Sequence, residues 1–132
     1  MKNWEKVNIN ELSGAVIGAA IEVHRALGPG LLESAYEHCI AHELDLRRIP
    51  YERQKTVGVI YKGTSLDAGY RLDFLIANRL ILELKAVIEM HPIHEAQVIT
   101  YLKLTGCKLA LLINFNVKRL KNGGIKRIVY NL

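Results

Sequence analysis

Tyr70-Arg71-Leu72-Asp73-Phe74-Leu75-Ile76, a short turn, and then Leu80-Ile81-Leu82-Glu83-Leu84-Lys85-Ala86 form the stretch whose reading decides the fold. Both runs have the apolar, strand-length character of buried β-structure, and Ala77-Asn78-Arg79 separates them as a hairpin turn. Only Asp73, Glu83 and Lys85 break the apolar pattern of the two inner segments. A carboxylate in such a segment is costly unless it is paired, bound to an ion or at the sheet margin. Alternation puts Glu83 and Lys85 on one face, about 7 Å apart along the strand. Two carboxylates brought face to face repel unless a cation lies between them, and a hard divalent ion such as Mg²⁺ takes such oxygen ligands, with water in its other positions.

Turn length decides whether the two acids meet. A two-residue loop, Asn78-Arg79, pairs Ala77 with Leu80 and sets Asp73 opposite Leu84, facing away from Glu83. A three-residue loop pairs Ile76 with Leu80 and sets Asp73 opposite Glu83. Asn78 suits the left-handed position of such a loop, so the odd loop is expected.

Outward from the hairpin, the pattern predicts α-α-β-β-β-α-β-β. A first helix is expected from Asn8 or Asn10, with Leu12, Val16, Ala19, Ala20, Val23 and Leu27 along one face and Gly28-Pro29-Gly30 as its stop. A second runs from about Leu31 to Arg47, making an αα-hairpin with the first. Strands are expected at Thr56–Tyr61, Gly69–Ile76 and Leu80–Val87, followed by a helix from His94 to Thr105. Leu109–Asn114 reads as a strand buried on both faces, and Gly124–Tyr130 as a weaker edge strand. The class is α/β, a mixed sandwich around a β-meander.

At 132 residues, with half of them hydrophobic and 23% charged, the chain is expected to form one globular domain spanning 1–132. Met1–Lys6 lacks a signal-peptide pattern and no apolar run reaches membrane-span length, so a cytoplasmic protein without a membrane partner is expected. Cys39 and Cys107, in apolar segments without CxxC spacing, read as buried free thiols. The formal charge of +5 favours an anionic partner, with basic residues crowded at Arg47-Arg48, Arg53, Lys55, Lys118–Lys121 and Lys126-Arg127. His38 and His42, four apart, read as surface residues, because neither clustered cysteines nor HExxH accompanies them to make a zinc site. His24 reads as a buried, hydrogen-bonded histidine. The absence of a glycine-rich phosphate loop argues against a nucleoside-triphosphatase.

Asp73, nine residues and then Glu83-Leu84-Lys85 resembles the PD-(D/E)XK nuclease superfamily, with Leu72 where the superfamily's name has Pro. Gly30-Leu31-Leu32-Glu33-Ser34-Ala35-Tyr36 is similar to the signature of its small GxxExxY branch. Val23–Gly30, Tyr101-Leu102-Lys103 and Leu112–Phe115 are also similar to that branch. The resemblance implies a restriction-endonuclease-like αβββαβ core with a mixed central sheet, preceded here by the αα-hairpin. It implies Asp73, Glu83 and Glu33 as ligands of Mg²⁺ or Mn²⁺ and Lys85 as the residue that orients water or stabilises charge. Gln97 and Tyr101 would lie beside the site as a QxxxY element. The activity implied is hydrolysis of a phosphodiester in DNA or RNA. The plainer readings stay open: a surface Glu83–Lys85 ion pair, Glu33 serving the start of its helix, and Gln97 and Tyr101 bonding loop backbone. At the level of the whole chain, the alternative is a non-catalytic accessory domain, or a homodimer or protein partner engaged through an exposed aromatic such as Trp4.

Overall fold

Asn8 accepts a hydrogen bond from the Asn10 amide (2.8 Å) and so caps α1, Ile9–Leu27, whose buried stripe is Leu12, Val16, Ala19, Ala20 and Val23. Gly28 closes the helix at φ +70°, in the left-handed region that glycine enters without steric cost. Next comes α2, Glu33–Leu46, which turns Tyr36, Ile40 and Leu44 inward. The strands are β1 (Tyr51–Tyr61), β2 (Thr64–Ile76), β3 (Leu80–Lys85), β4 (Leu109–Asn114) and β5 (Ile125–Val129), with α3 (Pro92–Thr105) between β3 and β4. This computed structural model describes residues 2–131, the side chain of Ala68 aside; Met1 and Leu132, the ends of the expected domain, lie outside the described residues.

The five strands form one sheet in the order β1-β2-β3-β4-β5. β3 and β4 are parallel and every other neighbouring pair is antiparallel, which makes the sheet mixed as expected. The parallel pair needs a crossover, and α3 supplies it. One face of the sheet packs against α1 and α2 through Phe74, Ile76, Leu80, Leu82, Leu84, Leu109, Leu111 and Ile113. The opposite face packs Leu72, Ile81, Ala110 and Leu112 against Val98, Tyr101 and Leu102 of α3. Covered on both sides, β4 is buried along its whole length, as its unbroken apolar run requires. Each fully buried leucine there stabilises the fold by about 1.5–3 kcal/mol.

Several expectations are corrected. β1 begins at Tyr51, five residues before Thr56, because the polar run Arg53-Gln54-Lys55 is held by pairing with β2 and by ties to α2 that no periodicity reveals. Glu33 is the first helical residue of α2 and makes no cap of its own; Leu32 occupies the N-cap. Trp4 is partly buried against the core, where Arg79 anchors the adjoining chain by donating to the carbonyls of Trp4 (3.0 Å) and Val7 (2.6 Å). Cys39 and Cys107 are free and half-buried rather than buried. Among the described residues, no helix is long and apolar enough to cross a membrane.

Candidate active site

The loop has the odd parity. Ile76 pairs with Leu80, Leu75 with Ile81 and Phe74 with Leu82, so the next step would set Asp73 opposite Glu83. Ala77 and Asn78 both take left-handed dihedrals (φ +51° and +57°), and the Arg79 amide closes the turn onto the Ile76 carbonyl (3.0 Å). Beyond Phe74–Leu82 the backbone ladder stops and the two carboxyl groups take its place. The Asp73 amide donates to Glu83 Oε1 (3.0 Å), and the Leu84 amide donates to Asp73 Oδ2 (2.8 Å). The acids are thus built into the gap between two strands.

Glu83 is 6% exposed. Burial pushes its carboxyl up from the usual 4.5 to about 9, reinforced by the Asp73 charge and a carboxyl–carboxylate hydrogen bond to Asp73; the Asp73 amide and Lys85 pull the other way. Burial therefore wins, and Glu83 keeps its proton near neutral pH. Lys85, half-buried two residues on, makes no ion pair among the described residues, and its charge reaches both Glu83 and Glu33. Glu33 enters from the start of α2. Its carboxyl is raised, chiefly by desolvation and with a contribution from Asp73, while Lys85 and a hydrogen bond from the Ala86 amide oppose the rise.

On the other side of the sheet, α3 brings Tyr101 close. Its ring meets Tyr70 edge-on at 6.0 Å, and burial, followed by the charges of Glu83 and Asp73, raises its hydroxyl. Gln97 lies one turn earlier on the same helix, exposed and with no hydrogen bond among the described residues. His91 and His94, at the N-terminus of α3, are engaged in a reciprocal capping box. His38 and His42 are exposed. His24 is buried, its Nε2 hydrogen-bonded to the carbonyls of Phe115 (3.1 Å) and Val117 (2.8 Å).

Three participants were not read as site residues from the sequence. Glu37, one turn beyond Glu33, takes hydrogen bonds from Arg53 (2.7 Å) and Gln54 (2.5 Å), and Gln54 also reaches Asp73 Oδ1 at 3.4 Å. The i, i+4 spacing of Glu33 and Glu37 was the only available signal, and it is common on solvated helices.

Two hard carboxylates suit Mg²⁺ or Mn²⁺, which are commonly held by one or two protein carboxylates with water and substrate oxygens. A cation between the two carboxylates would relieve the repulsion that, after burial, raises the Glu83 carboxyl. Among the described residues, no group of three or more His, Cys, Asp or Glu side chains is gathered closely enough to hold an ion unaided. Glu33 lies where the charges of Lys85 and Asp73 and the Ala86 amide all act on its carboxyl.

A helix-flanked mixed sheet with an aspartate, a glutamate and a lysine set into its central hairpin defines a nuclease-like α/β domain. Residues 10–128 match the sequence profile of the PD-(D/E)XK nuclease superfamily, and the chain belongs to that superfamily. No curated protein and no solved structure matches it.

Proposed function

We propose that this protein is a divalent-metal-dependent nuclease of the GxxExxY branch, hydrolysing phosphodiester bonds of DNA or RNA with water as the nucleophile. The observation that carries the reading is the Asp73–Glu83 pair. An acid held protonated to about pH 9 beside a second carboxylate costs stability, and a purely structural hairpin has no use for it. Asp73 and Glu83 would hold Mg²⁺ or Mn²⁺, which when bound lowers the pKa of a coordinated water and neutralises charge on the phosphate. Lys85 has three donors free of any acidic partner among the described residues, and it serves to orient the attacking water or to stabilise the negative charge that develops on phosphorus oxygens. Glu33 is near enough to Lys85 for the two charges to act on one another. Tyr101 and Gln97 line the α3 side.

The nucleic-acid partner is supported by charge bookkeeping within the fold. Arg47 is paired with Glu43, Arg53 with Glu37, Lys55 with Glu52 and Lys126 with Glu95, while Arg127 donates to the neutral Asn10 and keeps its charge. Lys118, Arg119 and Lys121, in the connection that follows β4, have no acidic partner among the described residues. They line a concavity of about 380 Å³ beside Gly28. His24 pins this connection, and the Phe115 amide donates to the Lys85 carbonyl (2.8 Å), so the basic segment starts next to the acidic site.

Calorimetry with Mn²⁺ and nicking assays on single- and double-stranded DNA and RNA test the reading. Asp73→Ala is expected to lose ion binding and activity together. Lys85→Ala is expected to keep the ion while kcat falls by about 10²–10³. Equal nicking by both variants would trace activity to a contaminant. Ion binding without hydrolysis of any substrate would establish the accessory reading instead.

A further inference from the structure

Gln54 lies inside β1 and opposite Asp73, yet its φ is +50°. A strand interior does not call for that conformation, and a non-glycine residue adopts it only where its surroundings enforce it. The register does not change there: Arg53 pairs with Phe74 and Lys55 with Leu72, with the Gln54–Asp73 step left out of the ladder. The sides of the sheet do change. Tyr51 of β1 and Phe74 and Ile76 of β2 pack toward α1 and α2, whereas Val57 of β1 and Tyr70 and Leu72 of β2 pack toward α3. Simple alternation would keep Tyr51 with Val57, and Leu72 with Phe74, on one side. The pleat of both strands therefore turns over at the Gln54–Asp73 step.

That turnover explains how Asp73 meets two groups on opposite sides of the sheet. Glu83 shares its parity in β3 with Ile81, which packs toward α3, whereas Gln54, tied to Glu37 of α2, reaches Asp73. The Gln54 amide donates to Glu37 Oε1 and, more weakly, to Asp73 Oδ1, while the Leu84 amide holds Asp73 Oδ2. Glu37 is in turn fixed by Arg53. The chain Arg53–Glu37–Gln54–Asp73 thus links α2 to the acid pair through β1.

We infer that Gln54 is a positioning residue for the ion site: its left-handed backbone turns Asp73 into the gap between β2 and β3, and its amide sets the angle of the Asp73 carboxylate. The inference rests on the reading of Asp73 and Glu83 as ion ligands. Outer groups that orient a metal-binding carboxylate commonly change affinity by about 10–100-fold when removed.

The experiment measures Mn²⁺ affinity and thermal stability of the full chain in parallel. Gln54→Gly keeps the left-handed backbone without strain and removes the side chain with its amide. Its midpoint of unfolding is expected to equal or exceed that of the wild type, while its Mn²⁺ affinity falls about tenfold or more. Gln54→Asn, which tolerates the same backbone and keeps a shorter amide, is expected to bind between the two. A Gln54→Gly protein that binds Mn²⁺ as the wild type does overturns the inference alone. So does one whose affinity falls only in step with lost stability, or an asparagine variant weaker than the glycine one. A wild-type protein that takes up no Mn²⁺ overturns the ion site and this inference together.

Discussion

Glu83 ties the electrostatics of the site to the stability of the whole chain. Its folded-state pKa, about 9, lies above the ordinary carboxyl value of 4.5. The stabilisation that goes with a protonated Glu83 is therefore fully present below about pH 4.5 and is lost as the pH rises through about 9. Thermal unfolding in the presence of a chelator is expected to show a midpoint that falls across this interval. Glu83→Gln, which keeps the shape but cannot ionise, is expected to flatten the profile. Because an ion held by Glu83 displaces its proton, Mg²⁺ uptake at pH 7 should release about one proton per ion. Calorimetry in two buffers of different ionisation enthalpy reads that release, and a buffer-independent heat would contradict it. Sequence patterning exposed Asp73, Glu83 and Lys85 because they interrupt apolar strands. It was silent on Gln54, whose importance lies in a backbone angle that no residue type announces.

Among the elements, the segment from Gly28 to Tyr36 shows how one short motif divides its labour. Gly30 stands at φ +96°, a conformation that disfavours any side chain, and Glu33 opens α2 toward Lys85 and the Ala86 amide. Tyr36 is fully buried and stacks on Phe115 at 4.4 Å. Its hydroxyl donates to the Gly28 carbonyl (2.5 Å) and accepts from the Leu31 amide (3.2 Å), so it ties the α1–α2 connection to the core. Tyr36→Phe keeps the stacking and removes both bonds. It is expected to cost about 1–2 kcal/mol in urea unfolding. A loss near zero would show that water serves the loop as well as the phenol does. The motif thus positions Glu33 at one end and supports the turn at the other.

For the whole molecule, the +5 charge becomes informative only once its pairings are known. Four of the basic residues crowded in the sequence are ion-paired within the fold, whereas Lys118, Arg119 and Lys121 in the connection after β4 have no acidic partner among the described residues. Charge reversal at Lys118, Arg119 and Lys121 is expected to lower the salt dependence of nucleic-acid binding by about two to three in log–log slope, with Mn²⁺ affinity unchanged. An unaltered slope would move the binding surface elsewhere. The element order, the odd hairpin loop, the doubly buried strand and the acidic pair were all legible in the sequence, because hydrophobic period and turn chemistry are local properties. Tertiary structure alone decided that β1 reaches back to Tyr51, that both strands turn over at Gln54 and Asp73, and that Trp4 packs inward. It also decided which cations are paired. Each of these depends on contacts between residues far apart in the chain, where packing and charge pairing outweigh local preference.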